Sequence, residues 1–125
     1  MSSRILIVED NKSTRRTFSK ALQEDGFDTF EAPDGETAIG MVRRLKPHVI
    51  IIEMVLPGIS GIDTAQVLRL MPVTAKTPVV MLADIQFTPG ERNEAQAHVA
   101  AVMQKPFAPQ ALVKQIEEIV KKGKR

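Results

Sequence analysis

A chain of 125 residues, 43% hydrophobic and 26% charged, has the size and composition of one globular domain spanning residues 1–125. That excludes a disordered, collagen-like or low-complexity chain. Seventeen Lys and Arg against fifteen Asp and Glu leave a net charge of +2, too small an excess to imply nucleic acid as a partner, and the absence of cysteine removes disulfides and thiolate chemistry.

The longest purely aliphatic runs, such as Ile5 to Val8 and Val49 to Ile52, are four residues long, whereas a bilayer span needs about 20. The first residues, Met-Ser-Ser-Arg, run into a strand-like segment without the apolar stretch of a signal peptide, and a cytoplasmic location is expected. Lys114, Lys121, Lys122, Lys124 and Arg125 make the end basic, with 121–125 as a basic tail. Cations there suit the carboxyl end of a helix. Without Tyr or Trp anywhere, base stacking has no platform.

In chain order, Ile5-Leu6-Ile7-Val8 reads as a short strand ending at Glu9-Asp10-Asn11. Phe18, Ala21 and Leu22 recur at helical spacing up to Gly26, a helix stop. Phe27 to Glu31 reads as a weaker strand near an edge. Asp34 can cap a helix whose apolar face is Ala38, Met41, Val42 and Leu45, ended by Pro47. Val49 to Ile52 is a strand apolar on both faces, followed by a Pro57-Gly58 turn. Ser60 can cap a third helix reaching Leu70.

Pro78 opens a fourth strand, Val79 to Leu82. Thr88-Pro89-Gly90-Glu91 has the form of a capping box with Pro at the first helical position. The helix it starts has little besides Ala95 and Ala97 to anchor it. Val99 to Met103 reads as a fifth strand. Pro109 opens a last helix with Leu112, Val113, Ile116, Ile119 and Val120 facing inward. Continuous apolar strands alternating with amphipathic helices predict a five-stranded parallel sheet covered on both faces, a doubly wound (βα)5 architecture.

Open sheets of this kind bind ligands outside the carboxyl ends of their strands. There the chain delivers Glu9 and Asp10, then Glu53, then Ala83 and Asp84, then Gln104, Lys105 and Pro106. The carboxylates of Glu9, Asp10 and Glu53 and the ammonium of Lys105 converge on one rim. Oxygen donors suit a hard cation, Mg²⁺ before Ca²⁺. Zinc is disfavoured, because His48 and His98 are expected at opposite poles of the sheet with no Cys companions. Neither Gly-x-x-x-x-Gly-Lys nor Gly-x-Gly-x-x-Gly occurs, and the acidic first loop would repel a bare nucleotide or flavin phosphate. There is also no Gly-x-Ser-x-Gly elbow.

Ile5-Leu6-Ile7-Val8-Glu9-Asp10-Asn11, the Leu56-Pro57-Gly58-x-x-Gly61 turn and Lys105-Pro106-Phe107 resemble the receiver domain of two-component response regulators. The likeness covers about 120 residues, with its motifs in order. It implies strand order 2-1-3-4-5 and a flavodoxin-like sheet. It also implies transfer of a phosphoryl group from a histidine kinase to an Asp ending the third strand, beside Mg²⁺ held by the first acid pair.

Glu9 and Asp10 match that pair, Lys105 the phosphoryl-pairing lysine, and the Val55 carbonyl the backbone metal ligand. A cis Lys105–Pro106 peptide is implied as well. The phosphoacceptor position holds Glu53 instead of Asp, the hydroxyl-bearing switch position holds Ala83, and the aromatic switch position holds Val102.

These departures have physical consequences. Glu53 lengthens the nucleophile's arm by one C–C bond, about 1.5 Å, where in-line transfer demands tight positioning. It also carries negative charge toward the place of a phosphoryl group. Ala83 has no hydroxyl and Val102 no ring. The expected reading is a pseudo-receiver, not an enzyme. It would bind a signalling protein, such as a histidine kinase or downstream effector, through its fourth helix, fifth strand and fifth helix. Weakened Mg²⁺ binding at Glu9, Asp10, Glu53 and Val55 and a monomer or weak homodimer complete that expectation. The rivals are a response regulator phosphorylated on Glu53 with weakened switching, and a metal-dependent phosphotransfer enzyme.

Overall fold

The computed structural model of the chain describes residues 2–84 and 88–123, apart from the Ala95 side chain. Five βα units follow one another: β1 (Arg4–Val8), α1 (Lys12–Glu24), β2 (Asp28–Ala32), α2 (Gly35–Leu45), β3 (Val49–Glu53), α3 (Gly61–Leu70), β4 (Val79–Ala83), α4 (Pro89–Gln96), β5 (Ala101–Gln104) and α5 (Pro109–Gly123). The strands form one parallel sheet in the order β2-β1-β3-β4-β5, as expected.

Strand periodicity sorts the core into two layers. Ile5, Ile7, Val49, Ile51, Val80 and Leu82 point to one face and pack on Phe18 and Leu22 of α1 and Leu112, Val113 and Ile116 of α5. Leu6, Val8, Ile50, Ile52, Val79, Met81 and Ala83 point to the other and pack on Ala38 and Val42 of α2 and Ala65 and Leu68 of α3. The central strands β3 and β4 are buried along their whole lengths, as a sheet covered on both sides requires. β2, with only Ala32 buried, is an edge strand.

Helices α1 to α4 begin with side-chain caps at the carboxyl edge of the sheet. Asn11 Oδ1 accepts from the Thr14 amide at 2.9 Å, Asp34 Oδ1 from Thr37 at 2.7 Å, and Ser60 Oγ from Asp63 at 3.0 Å. The Thr88–Glu91 capping box closes in both directions, at 3.0 and 3.1 Å. Each cap satisfies a helix amide that has no intrahelical partner and fixes where a strand hands over to its helix.

Three boundary expectations are corrected. The second strand runs Asp28–Ala32, not Phe27 to Glu31, because the Phe27 amide is still spent on Leu22 of α1. Helix α2 stops at Leu45, with Lys46 left-handed at φ 49° and its amide on Val42, ahead of Pro47. The fifth strand runs Ala101–Gln104 instead of Val99 to Met103, because the sheet register begins where Ala101 faces Val80. The basic residues Lys121 and Lys122 lie in the last turn of α5, the helix end their charge suits, and Lys124 and Arg125 lie outside the described residues.

His48 and His98 do not lie at opposite poles. Each precedes a strand, β3 and β5, and parallel strands put both at the amino edge.

Helix α4 has no buried residue among those described, and Ala97, expected as an anchor, is exposed. Helices α2 and α5 each bury three. Amide exchange tracks such local stability. Residues 91–97 should therefore exchange at least about tenfold faster than the interiors of α2 and α5 in native-state hydrogen-exchange mass spectrometry. Equal protection would contradict this account of α4.

Candidate functional site

The strand order places the ends of β1, β3 and β5 around one hollow. Glu9 follows β1 and its amide still bonds Ala32 O at 3.1 Å, so the backbone is held to the sheet one residue past the strand. Glu53 is the last residue of β3. Lys105 follows β5 with its amide on Ala83 O at 2.8 Å. The Lys105–Pro106 peptide is cis, and Phe107 stacks on Phe18 of α1 with ring centroids 5.6 Å apart.

Lys105 Nζ stands between two carboxylates. It reaches Glu9 Oε1 at 3.3 Å and makes a close ion pair with Glu53 Oε2. Glu9 and Glu53 are 2% and 3% exposed. Glu9 Oε2 takes a long contact from the Asn11 amide at 3.4 Å. Glu53 Oε2 is buried with no hydrogen bond of regular geometry, so its compensation is the ammonium charge. Asp10 is exposed beside Glu9, and Asp84 is half-buried near Glu53.

Burial, followed by the neighbouring Asp10 carboxyl, pushes the Glu9 carboxyl up despite Lys105. Burial likewise pushes Glu53 up, against the opposing pull of Lys105 and the Val55 amide. Burial pulls Lys105 down, but its two carboxylate partners outweigh that and leave it raised. The attraction is evident from the lysine, while the desolvation cost falls on the acids. One ammonium cannot neutralise two buried carboxylates.

The oxygen-only donor set has the chemistry Mg²⁺ prefers, and Lys105 stands between two of its carboxylates. Among the described residues, no three His, Cys, Asp or Glu side chains are grouped so as to hold a metal. Lys105 bridges Glu9 and Glu53, while Asp10 lies on the surface. Val55, whose carbonyl was expected as a ligand, has a half-exposed side chain in the following loop. Ala83 is fully buried at the end of β4, and Val102 packs half-buried on the α2–α3 side of the sheet.

Three features support the site: Arg15, which escaped the sequence reading, and Gly61 and Gly58, which it read only as parts of a turn. Arg15 Nη1 donates to Glu9 O at 2.7 Å and Arg15 Nε to Glu31 Oε1 at 2.9 Å, fastening the acidic loop to β2. Gly61 is a site of close approach: a Cβ there would stand 2.2 Å from Glu53 O and 2.8 Å from Met54 Cα. Gly58 takes φ 76° with the Glu36 carboxylate against it. Spacing within the chain gives no hint of the Arg15 contact, which depends on α1 lying across β2.

A five-stranded βα sheet with acids after β1 and β3 and a lysine after β5 defines a receiver-type domain. The chain belongs to the response regulator receiver domain family, whose match runs over residues 5–117.

Its relatives include the DNA-binding response regulator MtrA of Mycobacterium tuberculosis (strain ATCC 25618 / H37Rv), 34% identical over 116 residues. That alignment covers 93% of this chain and 50% of MtrA, so the chain spans about half the length of this relative. The chemotaxis response regulator CheY4 of Vibrio cholerae matches with a TM-score of 0.87 and 27% identity, over 95% of this chain and 99% of that one. A response regulator structure from Chloroflexus aurantiacus matches with a TM-score of 0.88 and 26% identity, over 97% and 99%.

The raised carboxylates set a pH dependence. A folded-state value above the ordinary 4.5 means that the folded chain holds the proton more tightly. Their contribution to stability is fully present below 4.5 and is lost as pH rises through the folded values. Glu53→Gln removes one such loss and lowers repulsion on Glu9. Urea midpoints of the variant should therefore gain on those of the parent as pH rises from 4.5 toward neutrality. A difference independent of pH would refute the raised carboxyl.

Proposed function

We propose that this domain works in two-component signalling as a pseudo-receiver, a protein-binding module that does not depend on phosphorylation of an Asp and is not an enzyme. The observation that carries this reading is the buried Glu53 carboxylate in ion pair with Lys105. The anion that the lysine would otherwise meet on a phosphoryl group is already present as a side chain. Ala83 offers no hydroxyl to a phosphoryl oxygen, and Val102 has no ring to reorient.

The partner is a signalling protein in the cytoplasm, a histidine kinase or downstream effector, meeting the face formed by α4, β5 and α5. Support comes from the weakly packed α4 and the exposed polar outer positions of α5. No helix among the described residues is long and apolar enough to cross a membrane.

Incubation with acetyl phosphate and Mg²⁺, followed by intact-mass analysis, tests the reading. The parent should gain no phosphoryl adduct, because its nucleophile is displaced by about 1.5 Å. Glu53→Asp should gain one. An adduct on Glu53 of the parent would favour a working, weakly switching response regulator instead.

Metal binding gives a second test. A cation must displace Lys105 from Glu9 and Glu53, so Mg²⁺ should bind weakly. At tenfold excess over its dissociation constant it would add about 1.4 kcal/mol of stability. The rise in melting temperature over a monovalent salt of equal ionic strength should disappear in Asp10→Ala. A large rise at submillimolar Mg²⁺ would count against the closed carboxylate–lysine site.

A further inference from the structure

At the amino edge of the sheet, at the pole opposite the acids, a cavity of about 530 Å³ opens between the α3–β4 loop and the end of α5. Its volume falls in the range of small-molecule clefts, about 300–1,000 Å³. The walls are largely apolar: Val73 and Pro78 from the loop, Val49 at the start of β3, and Ile119 and Val120 of α5. Ser3, His48 and Thr77 add a few polar groups.

Both sides of the cavity are held in place. Arg69 of α3 donates from Nη1 to Thr74 O at 2.7 Å and Ala75 O at 3.1 Å, and from Nη2 to Thr77 O. Its Nε reaches His98 O, ahead of β5, at 3.1 Å. The buried Thr74 hydroxyl donates to Leu68 O at 2.6 Å. The loop wall is therefore pinned to α3 along its length. Across the cavity, the Arg4 amide donates to His48 Nδ1 at 2.8 Å and the His48 amide donates to Arg4 O at 2.8 Å, which fixes the ring against β1. Ligand clefts of this size are usually preformed in the same way.

The charge at the cavity has one sign. Among the described residues that line it, Lys76 is the only one formally charged at neutral pH, and none is a carboxylate. Lys76 is exposed, and its ammonium makes no hydrogen bond or ion pair with another described residue. Lys46 lies two residues before His48, and Lys121 and Lys122 precede Gly123, which also lines the cavity. The nearby Glu117 borders a neighbouring hollow, with Gly26 and Phe27.

We infer that this cavity is a binding site for a small amphipathic monocarboxylate, with its hydrocarbon part against Val49, Val73, Ile119 and Val120 and its carboxylate at Lys76. A bare inorganic anion would leave the apolar walls in water, and a neutral hydrocarbon would leave the lysine without a partner. One lining cation matches one negative charge. The inference is independent of Glu53 and of the α4–β5–α5 face.

Titration of the intact chain with sodium octanoate, followed through amide proton–nitrogen NMR spectra, tests the site. Saturable shifts should gather at residues 48–49, 73–77 and 119–123, while the amides of Glu9, Glu53 and Lys105 stay in place. Burying each methylene is worth about fourfold in affinity, so octanoate should bind at least about tenfold tighter than butanoate. Lys76→Glu should weaken octanoate at least about fivefold while its spectrum away from the cavity stays parental. Shifts that scatter over the surface or grow without saturation, equal binding of butanoate and octanoate, or unchanged affinity in Lys76→Glu would each overturn the inference. Sedimentation with phosphatidylglycerol vesicles in the absence of saturable octanoate binding would assign the cations to a lipid surface and overturn it as well.

Discussion

Lys105 serves two carboxylates that are both out of water. Glu9 follows β1 and Glu53 ends β3, and among the described residues neither has a second cation. Burying charge is costly unless it is paired and hydrogen-bonded. The geometry of the carboxyl edge can be understood as the means of keeping this ammonium in place. The Phe107–Phe18 stack sets the loop that carries it, the Lys105 amide is tied to β4, and Arg15 holds the Glu9 backbone to α1.

The close approach at Gly61 belongs to the same constraint. The β3–α3 loop folds back so that the Gly61 amide bonds Met54 O at 2.9 Å, leaving no room for a side chain against Glu53 O. Glu53 is therefore held by its backbone on one side and by an ammonium at its tip. On the proposed reading, that double hold replaces an input that would otherwise come from outside. A carboxylate built into the chain is permanent, and regulation then falls to whatever meets the surface.

The opposite pole works by a different chemistry. Arg69 has backbone carbonyls as its partners, so its role depends on the path of the α3–β4 loop and not on that loop's side chains. The two poles meet in α4, whose amino end lies beside the acids and whose carboxyl end lies on Arg69. A helix with no buried residue among those described takes its position largely from its ends.

Much of this could be read from the chain itself. The four-residue aliphatic runs, the capping residues Asp34, Ser60 and Thr88, and the apolar spacing of α2 and α5 are local signals, and local physics suffices to read them. The convergence of Glu9, Glu53 and Lys105 followed from one rule about the carboxyl ends of parallel strands. The strand order came from the family likeness, since alternation alone does not choose neighbours.

The sharing of Lys105 between two acids, the exposure of Asp10, the common pole of His48 and His98 and the bridge made by Arg69 were decided by the tertiary structure. Each depends on which groups distant segments bring within about 3–4 Å, a distance scale at which hydrogen bonds and ion pairs act. Sequence spacing carries no information on that scale once the partners lie on different elements.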